Sequence, residues 1–415
     1  MSDDPTRPRP GDRPEPAKGG EDGVLLLPDD FSVPAYGAGT LADVLPSVAT
    51  ALGVPVRRGD LPTDPLDLTP ALGGARRVAV LLVDGLGAEL LAAHPREAPV
   101  LNALGTPAGV LSAPCPSTTP VSLVTLGTGL PPGSHGVLGF VTEVPGQDRT
   151  LNHVQWRDDP DPLQWQAQPT IFEQATAHGV TCTAVGPHTF ARSGLTKAAY
   201  RGADYANAYS PGDLVAVVHA ALATGDRSLV YGYTADLDLT GHVRGVDSKS
   251  WRHQLGVVDR MVEQLAAGLP DDAVLLVTAD HGMVDVPDHT RLDIGEEPGL
   301  ADGVRRLTGE PRARYVHTEP GAADDVLATW RSVLGHRAWV VSRAEAIDSG
   351  VFGPVEAAVA DRIGDVVALA RGSWAFTDVL SEPHSSLLAA FHGSLTSAEL
   401  SIPLLAARGR SLDRP

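Results

Sequence analysis

Residues 78–83 (VAVLLV), 180–185 (VTCTAV), 228–233 (SLVYGY) and 273–278 (AVLLVT) are short runs rich in Val, Leu and other apolar side chains. Continuous apolar runs of this length predict strands buried on both faces, as in a parallel sheet covered by helices. Between them the apolar positions fall into a helical period. Within 251–267, Leu255, Val258, Val262 and Leu265 share one stripe that ends at Gly268, and within 322–334, Val326, Leu327, Trp330 and Val333 do the same before Gly335. Alternating strands and helices predict an α/β fold: a mostly parallel central sheet with helices on both faces. The stretch from about 286 to 378 carries strand and helix patterns of its own and predicts a smaller α/β subdomain inserted into a single domain spanning 23–415. The polar, tryptophan-bearing segment 142–170 reads as a long surface excursion of the kind that borders a site. Residues 1–22, rich in Asp, Arg, Pro and Gly, hold too little apolar surface to offset the entropy of ordering and predict a disordered tail.

Composition narrows the class. Of 415 residues, 43% are hydrophobic and 20% charged, as in an ordinary globular protein. The 51 acidic against 32 basic side chains give a net charge of -19. Such a surface repels a polyanion and argues against coating a nucleic-acid polymer. The longest apolar run is cut by Asp84 after six residues, far short of the ~20 that span a bilayer, so no membrane partner is expected. Two distant cysteines, Cys115 and Cys182, form no disulfide framework. A cytoplasmic protein is the expectation, with Cys115 read as a small buried residue.

Three of the predicted strands run into aspartates: Asp84 after the first, Asp236 and Asp238 after the third, Asp280 after the fourth. The carboxyl ends of parallel strands share one rim, so these carboxylates are candidates to converge. A single strand-end Asp is more often a cap or turn residue. Here, however, His281 follows Asp280 directly and His242 stands four residues after Asp238, a spacing that puts both side chains on one side of a helical turn. Imidazole and carboxylate together are a common ligand set for zinc and related divalent ions. His392 stands in another His-Gly pair. The segment 116–120 (PSTTP) precedes an apolar run. Thr119 before Pro120 has the form of a helix N-cap with proline at the first helical position, and a hydroxyl beside a divalent metal can act as a nucleophile.

In order along the chain, VLLVDGLG (80–87), PSTTPVSLVTLGTGLPPGSHG (116–136), DLTGH (238–242), ADHGM (279–283) and HGS (392–394) resemble the alkaline phosphatase superfamily, and within it the type I phosphodiesterases and nucleotide pyrophosphatases. The resemblance implies a hydrolase of phosphate esters with two divalent metal ions on an alkaline-phosphatase-like α/β core. By motif position it implies Asp84, Asp280 and His281 around one metal and Asp238, His242 and His392 around the other. It places the nucleophile at Thr119, with Thr118 as the alternative, and a phospho-threonine intermediate on the path. The donor set suits zinc, with manganese as the other choice. Where the nucleotide pyrophosphatases carry an Asn that contacts phosphate, this chain has Ser122, expected to bind substrate with a shorter side chain and one proton. That departure keeps open a phosphomonoesterase or phosphomutase of the same superfamily. The sulfatase pattern Cys-x-Pro-x-Arg is absent.

The expected partner is a small phosphorylated molecule such as a nucleotide. Phe140, Trp156, Trp165 and Phe190 are candidates to stack on a base, and Arg192, Lys197 and Arg244 to contact phosphate. Each has the alternative of local packing or plain solvation.

Overall fold

The computed structural model describes residues 27–409; the expected tail at 1–22 lies outside them. Seven strands form the central sheet. In chain order they are β1 (Arg77–Val83), β2 (Val110–Ser112), β3 (Thr181–Pro187), β4 (Asp204–Ala208), β5 (Ser228–Thr234), β6 (Ala273–Thr278) and, after a long intervening segment, the closing strand Ser401–Arg408. Their spatial order is β2, closing strand, β6, β1, β5, β3, β4. The five strands from β6 to β4 are parallel, and the closing strand runs antiparallel between β6 and β2. Every residue of β5 and β6 is buried, so helices cover both faces at the centre of the sheet, as the unbroken apolar runs required.

The observed strands extend the predicted ones by a residue or two at most. The helix expected over 251–267 occupies Lys249–Ala267, capped by the Ser248 side chain, which accepts from the Trp251 N–H. Its end at Gly268 has a different cause from the one the pattern suggested. Gly268 is not left-handed (φ -98°); a Cβ there would lie 2.3 Å from the His219 ring, so the glycine makes room for that side chain.

Between β6 and the closing strand the chain builds a second, four-stranded antiparallel sheet. Its strands are β7 (Val304–Glu310), β8 (Ala313–Thr318), β9 (Ala338–Ser342) and β10 (Val366–Ala370), in spatial order β7, β8, β10, β9. The two-residue period of a strand divides its side chains. Val316, Val340, Val366 and Ala368 join Val326, Trp330 and Leu334 of the helix Ala323–Leu334 in a core of their own. Tyr315, Trp339, Val341 and Val367 face the other way, into the main core. The chain departs through Val284–Asp285 and returns through Ala390–Phe391, which pair with each other. The return delivers His392 to the rim of the main sheet.

The segment 142–170 is held down more firmly than its polarity suggested. It contains a hairpin, Val141–Glu143 with Thr150–Asn152, and its Trp156 and Trp165 are buried against His153.

Candidate active site

β6, β1 and β5 are neighbours in exact parallel register, Leu82 lying beside Thr278 and Val83 beside Thr234. Their carboxyl ends therefore finish side by side. Asp84 follows β1 at once, Asp280 stands two residues after β6, and Asp238 lies in the first turn of the helix Asp236–Arg244 that follows β5. His242 is one turn further along that helix, its Nε2 3.4 Å from Asp238 Oδ2.

All six expected ligands come together. His281 Nε2 lies 3.3 Å from Asp280 Oδ2 and 3.5 Å from Asp84 Oδ1. His242 and His392 bring their Nε2 atoms within 3.2 Å of each other, and His392 Nε2 is 3.9 Å from Asp238 Oδ1. Donor atoms of Asp84, Asp280 and His281 all lie within 4.8 Å of one another, and so do those of Asp238, His281 and His392. His281 stands between the two groups, its ring stacked on that of His392 at 3.7 Å.

Two features make this cluster a candidate cation site. Asp84 Oδ1, Asp238 Oδ1 and Asp280 Oδ2 are buried and have no hydrogen-bond partner, a costly state for carboxylate oxygens unless something positive sits between them. The second feature is the set of histidine tautomers. His242 Nδ1 is 2.8 Å from the Ala390 carbonyl, His281 Nδ1 3.1 Å from that of Gly282, and His392 Nδ1 2.9 Å from that of Ser117. A carbonyl only accepts, so each Nδ1 carries a proton, which leaves each Nε2 as the ring nitrogen available to a cation in the cluster. The His242 and His392 Nε2 atoms, 3.2 Å apart, need a proton or a metal ion between them. Electrostatics agree: burial and the Asp280 and Asp238 carboxylates push Asp84 well above the usual carboxylate range, although the Tyr233 hydroxyl opposes this. Burial, then His281 and His242, hold His392 well below the ordinary imidazole value, in its neutral, ligating form.

The two threonines are separated by their backbone. The residue preceding the helix Thr119–Thr128 is Thr118, which is extended and fully buried but makes no side-chain capping bond, whereas Thr119 already has helical backbone. The cap thus falls one residue earlier than the Thr-Pro pair suggested. Thr119 Oγ1, freed from capping, lies 3.2 Å from His281 Nε2.

Ser122, expected at the phosphate, is fully buried, and its hydroxyl donates to the Asp280 carbonyl at 2.9 Å. Its single proton holds the strand end that carries Asp280 and His281.

Of the stacking candidates, Phe190 lines a cavity that opens beside Thr119, with Tyr200, Tyr205, Tyr231 and Tyr233. Trp156 and Trp165 are core residues instead. Lys197 is paired with Asp158, while Arg192 and Arg244 are exposed. Cys115 is buried, and burial, with Glu399 and Glu310 nearby, pushes its thiol well up, away from reactivity.

Two residues near the ligands were not anticipated. Tyr233 donates from its hydroxyl to Asp84 Oδ2. Glu310, at the end of β7, brings a buried carboxyl 3.6 Å from His392 Nδ1. Tyr233 sits within a strand the pattern did mark, but nothing in an apolar run shows which tyrosine meets a carboxylate. Glu310 arrives from a separate sheet and leaves no local signal.

Solved structures of other proteins share the fold. Murine ectonucleotide pyrophosphatase/phosphodiesterase 5 superposes with a TM-score of 0.65 at 20% identity, covering 80% of this chain and 90% of its own. An inactive form of that murine protein in complex with AMP gives 0.64 at 19%, covering 81% and 90%. The human counterpart gives 0.62 at 18%, covering 80% and 88%. At these identities the likeness shows a shared alkaline-phosphatase-like fold. The family model described as type I phosphodiesterase/nucleotide pyrophosphatase matches residues 78–395, from β1 through His392 and just beyond. With that span holding all six clustered ligands and Thr119, the chain belongs to the type I phosphodiesterase/nucleotide pyrophosphatase family of hydrolases, in the alkaline phosphatase superfamily.

Proposed function

We propose that this hydrolase cleaves small phosphodiesters, nucleotides among them, through Thr119 as nucleophile and two divalent metal ions, zinc by donor chemistry. The observation that carries the reading is the set of partnerless carboxylate oxygens gathered with three histidine Nε2 atoms beside the Thr119 hydroxyl, which contacts His281 Nε2. Asp84, Asp280 and His281 would hold one ion, and Asp238, His242 and His392 the other. When bound, the ions supply charge neutralisation to the entering and departing oxygens and favour the ionised hydroxyl.

The chain's own residues set the geometry. Thr119 opens its helix with its hydroxyl turned to the cluster, so that Oγ1 forms a bond to phosphorus while the bond to the departing alcohol breaks on the opposite side. The product of that step is a phospho-threonine that still carries the ester's other organic group, and the proton lost by the Thr119 hydroxyl leaves on the departing alcohol. Hydrolysis of the Thr119 ester by water then regenerates the hydroxyl. Phe190 and the tyrosines beside Thr119 offer a flat, apolar wall to the organic group of the ester, which supports a nucleotide; AMP is bound by the murine structural neighbour.

Thr119→Ala is expected to keep two bound metals by elemental analysis while losing several orders of magnitude in turnover, on the scale seen when a covalent nucleophile is removed. Chelation with EDTA should abolish hydrolysis of bis-p-nitrophenyl phosphate, and re-addition of zinc should restore it. Full activity in either treated sample defeats the reading. Ser122, committed to Asp280, favours one alternative, a monoesterase, because it leaves the phosphate without the side-chain donor typical of the diesterases. Faster turnover of p-nitrophenyl phosphate than of the bis ester would select it.

A further inference from the structure

Tyr233 is the last but one residue of β5, next to β1 in the sheet and facing two ways at once. Its hydroxyl donates to Asp84 Oδ2, and its ring forms part of the cavity wall beside Thr119. The other oxygen of Asp84, Oδ1, has no partner and lies 3.5 Å from His281 Nε2. A free carboxylate can turn about its Cβ–Cγ bond and offer a cation either oxygen or both. A phenol proton on Oδ2 opposes that turn and leaves Oδ1 as the oxygen without a partner.

We infer that Tyr233 is a positioning residue: its hydroxyl holds the Asp84 carboxylate so that Oδ1 is the oxygen Asp84 would offer a cation, while its ring stands in the wall of the cavity beside Thr119. The inference rests on the two-metal reading above and adds to it a group that touches no metal. Hydrogen-bond partners of metal ligands commonly matter for affinity by about 10–100-fold. The ring is held independently of the hydroxyl, edge-on to Phe190 at 6.2 Å between centroids. Removing the hydroxyl alone therefore leaves the cavity wall in place, which separates the two roles experimentally.

The test is Tyr233→Phe, with Tyr315→Phe as a control. Tyr315 is another buried tyrosine, donating to the Leu138 carbonyl and not lining the cavity beside Thr119. Zinc affinity is measured on the whole protein by competition with a chromophoric chelator, alongside steady-state kinetics on bis-p-nitrophenyl phosphate. Tyr233→Phe should weaken the tighter zinc step about tenfold or more and lower kcat, with KM unchanged because the ring persists. Tyr233→Ala should also raise KM. Tyr315→Phe should leave zinc affinity as in the parent. Equal zinc affinity and kcat in Tyr233→Phe and the parent overturns the inference while leaving the two-metal reading intact. A parent protein that takes up no zinc overturns that reading instead.

Discussion

Ser122 shows how one side chain changes role when its neighbours are known. On paper it stands where a phosphate-binding amide is expected. In the fold it is sealed beneath the Asp280 carbonyl. Ser122→Ala should therefore leave KM unchanged and lower stability by about 1 kcal/mol, the net value of a typical buried hydrogen bond. Urea denaturation read beside steady-state kinetics checks this, and a raised KM with unchanged stability would return Ser122 to the substrate. The ligands, by contrast, were legible residue by residue: Asp84, Asp238, His242, Asp280, His281 and His392 each stand in a short motif of distinctive spacing. Their tautomers were not legible, because those are set by the carbonyls of Ala390, Gly282 and Ser117, two of which come from distant parts of the chain.

Among the elements, the segment 392–400 carries the most consequence for its length. It brings His392 to the rim and is tied down by a buried ion pair. Arg312, at the turn between β7 and β8, donates through Nε and Nη2 to both oxygens of Glu399, each at 2.7 Å and with both side chains sealed from solvent. Glu399 also accepts from the Ser394 N–H and the Thr396 hydroxyl. Ser394 in turn accepts from Ser117, just before the threonines. The pair thus links the second sheet, the His392 segment and the Ser117–Thr119 segment. Removing one partner leaves a buried charge uncompensated, so Glu399→Leu should destabilise the protein by about 3–5 kcal/mol, whereas an apolar replacement of both partners, Arg312→Met with Glu399→Leu, should recover most of the loss. Chemical denaturation of the single and double variants decides it; equal losses in both would mean the pair is not the relevant unit. Strands β1, β5 and β6 were readable because their apolar runs are continuous. The pairing of Arg312 with Glu399 was not, since the partners are far apart in sequence and neither stands in a motif.

At the scale of the whole molecule, the seam where the second sheet meets the main core contains two buried histidines. Burial, with Arg362 and His153 nearby, lowers His135 from 6.5 to about 3. Burial chiefly lowers His153 to about 4. Both are neutral in the fold. Below pH 6.5 the unfolded chain takes up protons that the folded chain refuses until about pH 4 for one and about pH 3 for the other. Unfolding therefore binds protons in that window, and stability falls as pH falls, by about 1.4 kcal/mol per pH unit for each histidine. The contribution is fully present above 6.5. Denaturation at pH 7 and pH 5 should show the decline, and His153→Phe should flatten its slope by about one proton. An unchanged slope would mean that His153 protonates readily in the fold.

The sequence by itself determined the alternation of buried strands and amphipathic helices, and the placing of aspartates and histidines directly after those strands. Both are local properties: periodicity follows from burial on one or two faces, and spacing follows from the pitch of a turn. Tertiary structure alone decided that β6, β1 and β5 lie side by side in register, which converts three separate strand ends into one site. It also decided that Tyr233 and Glu310 stand behind the ligands and that Ser122 faces the protein rather than the substrate. Those outcomes depend on which distant backbone lies next to which side chain, and packing of the complete chain is the only thing that sets it.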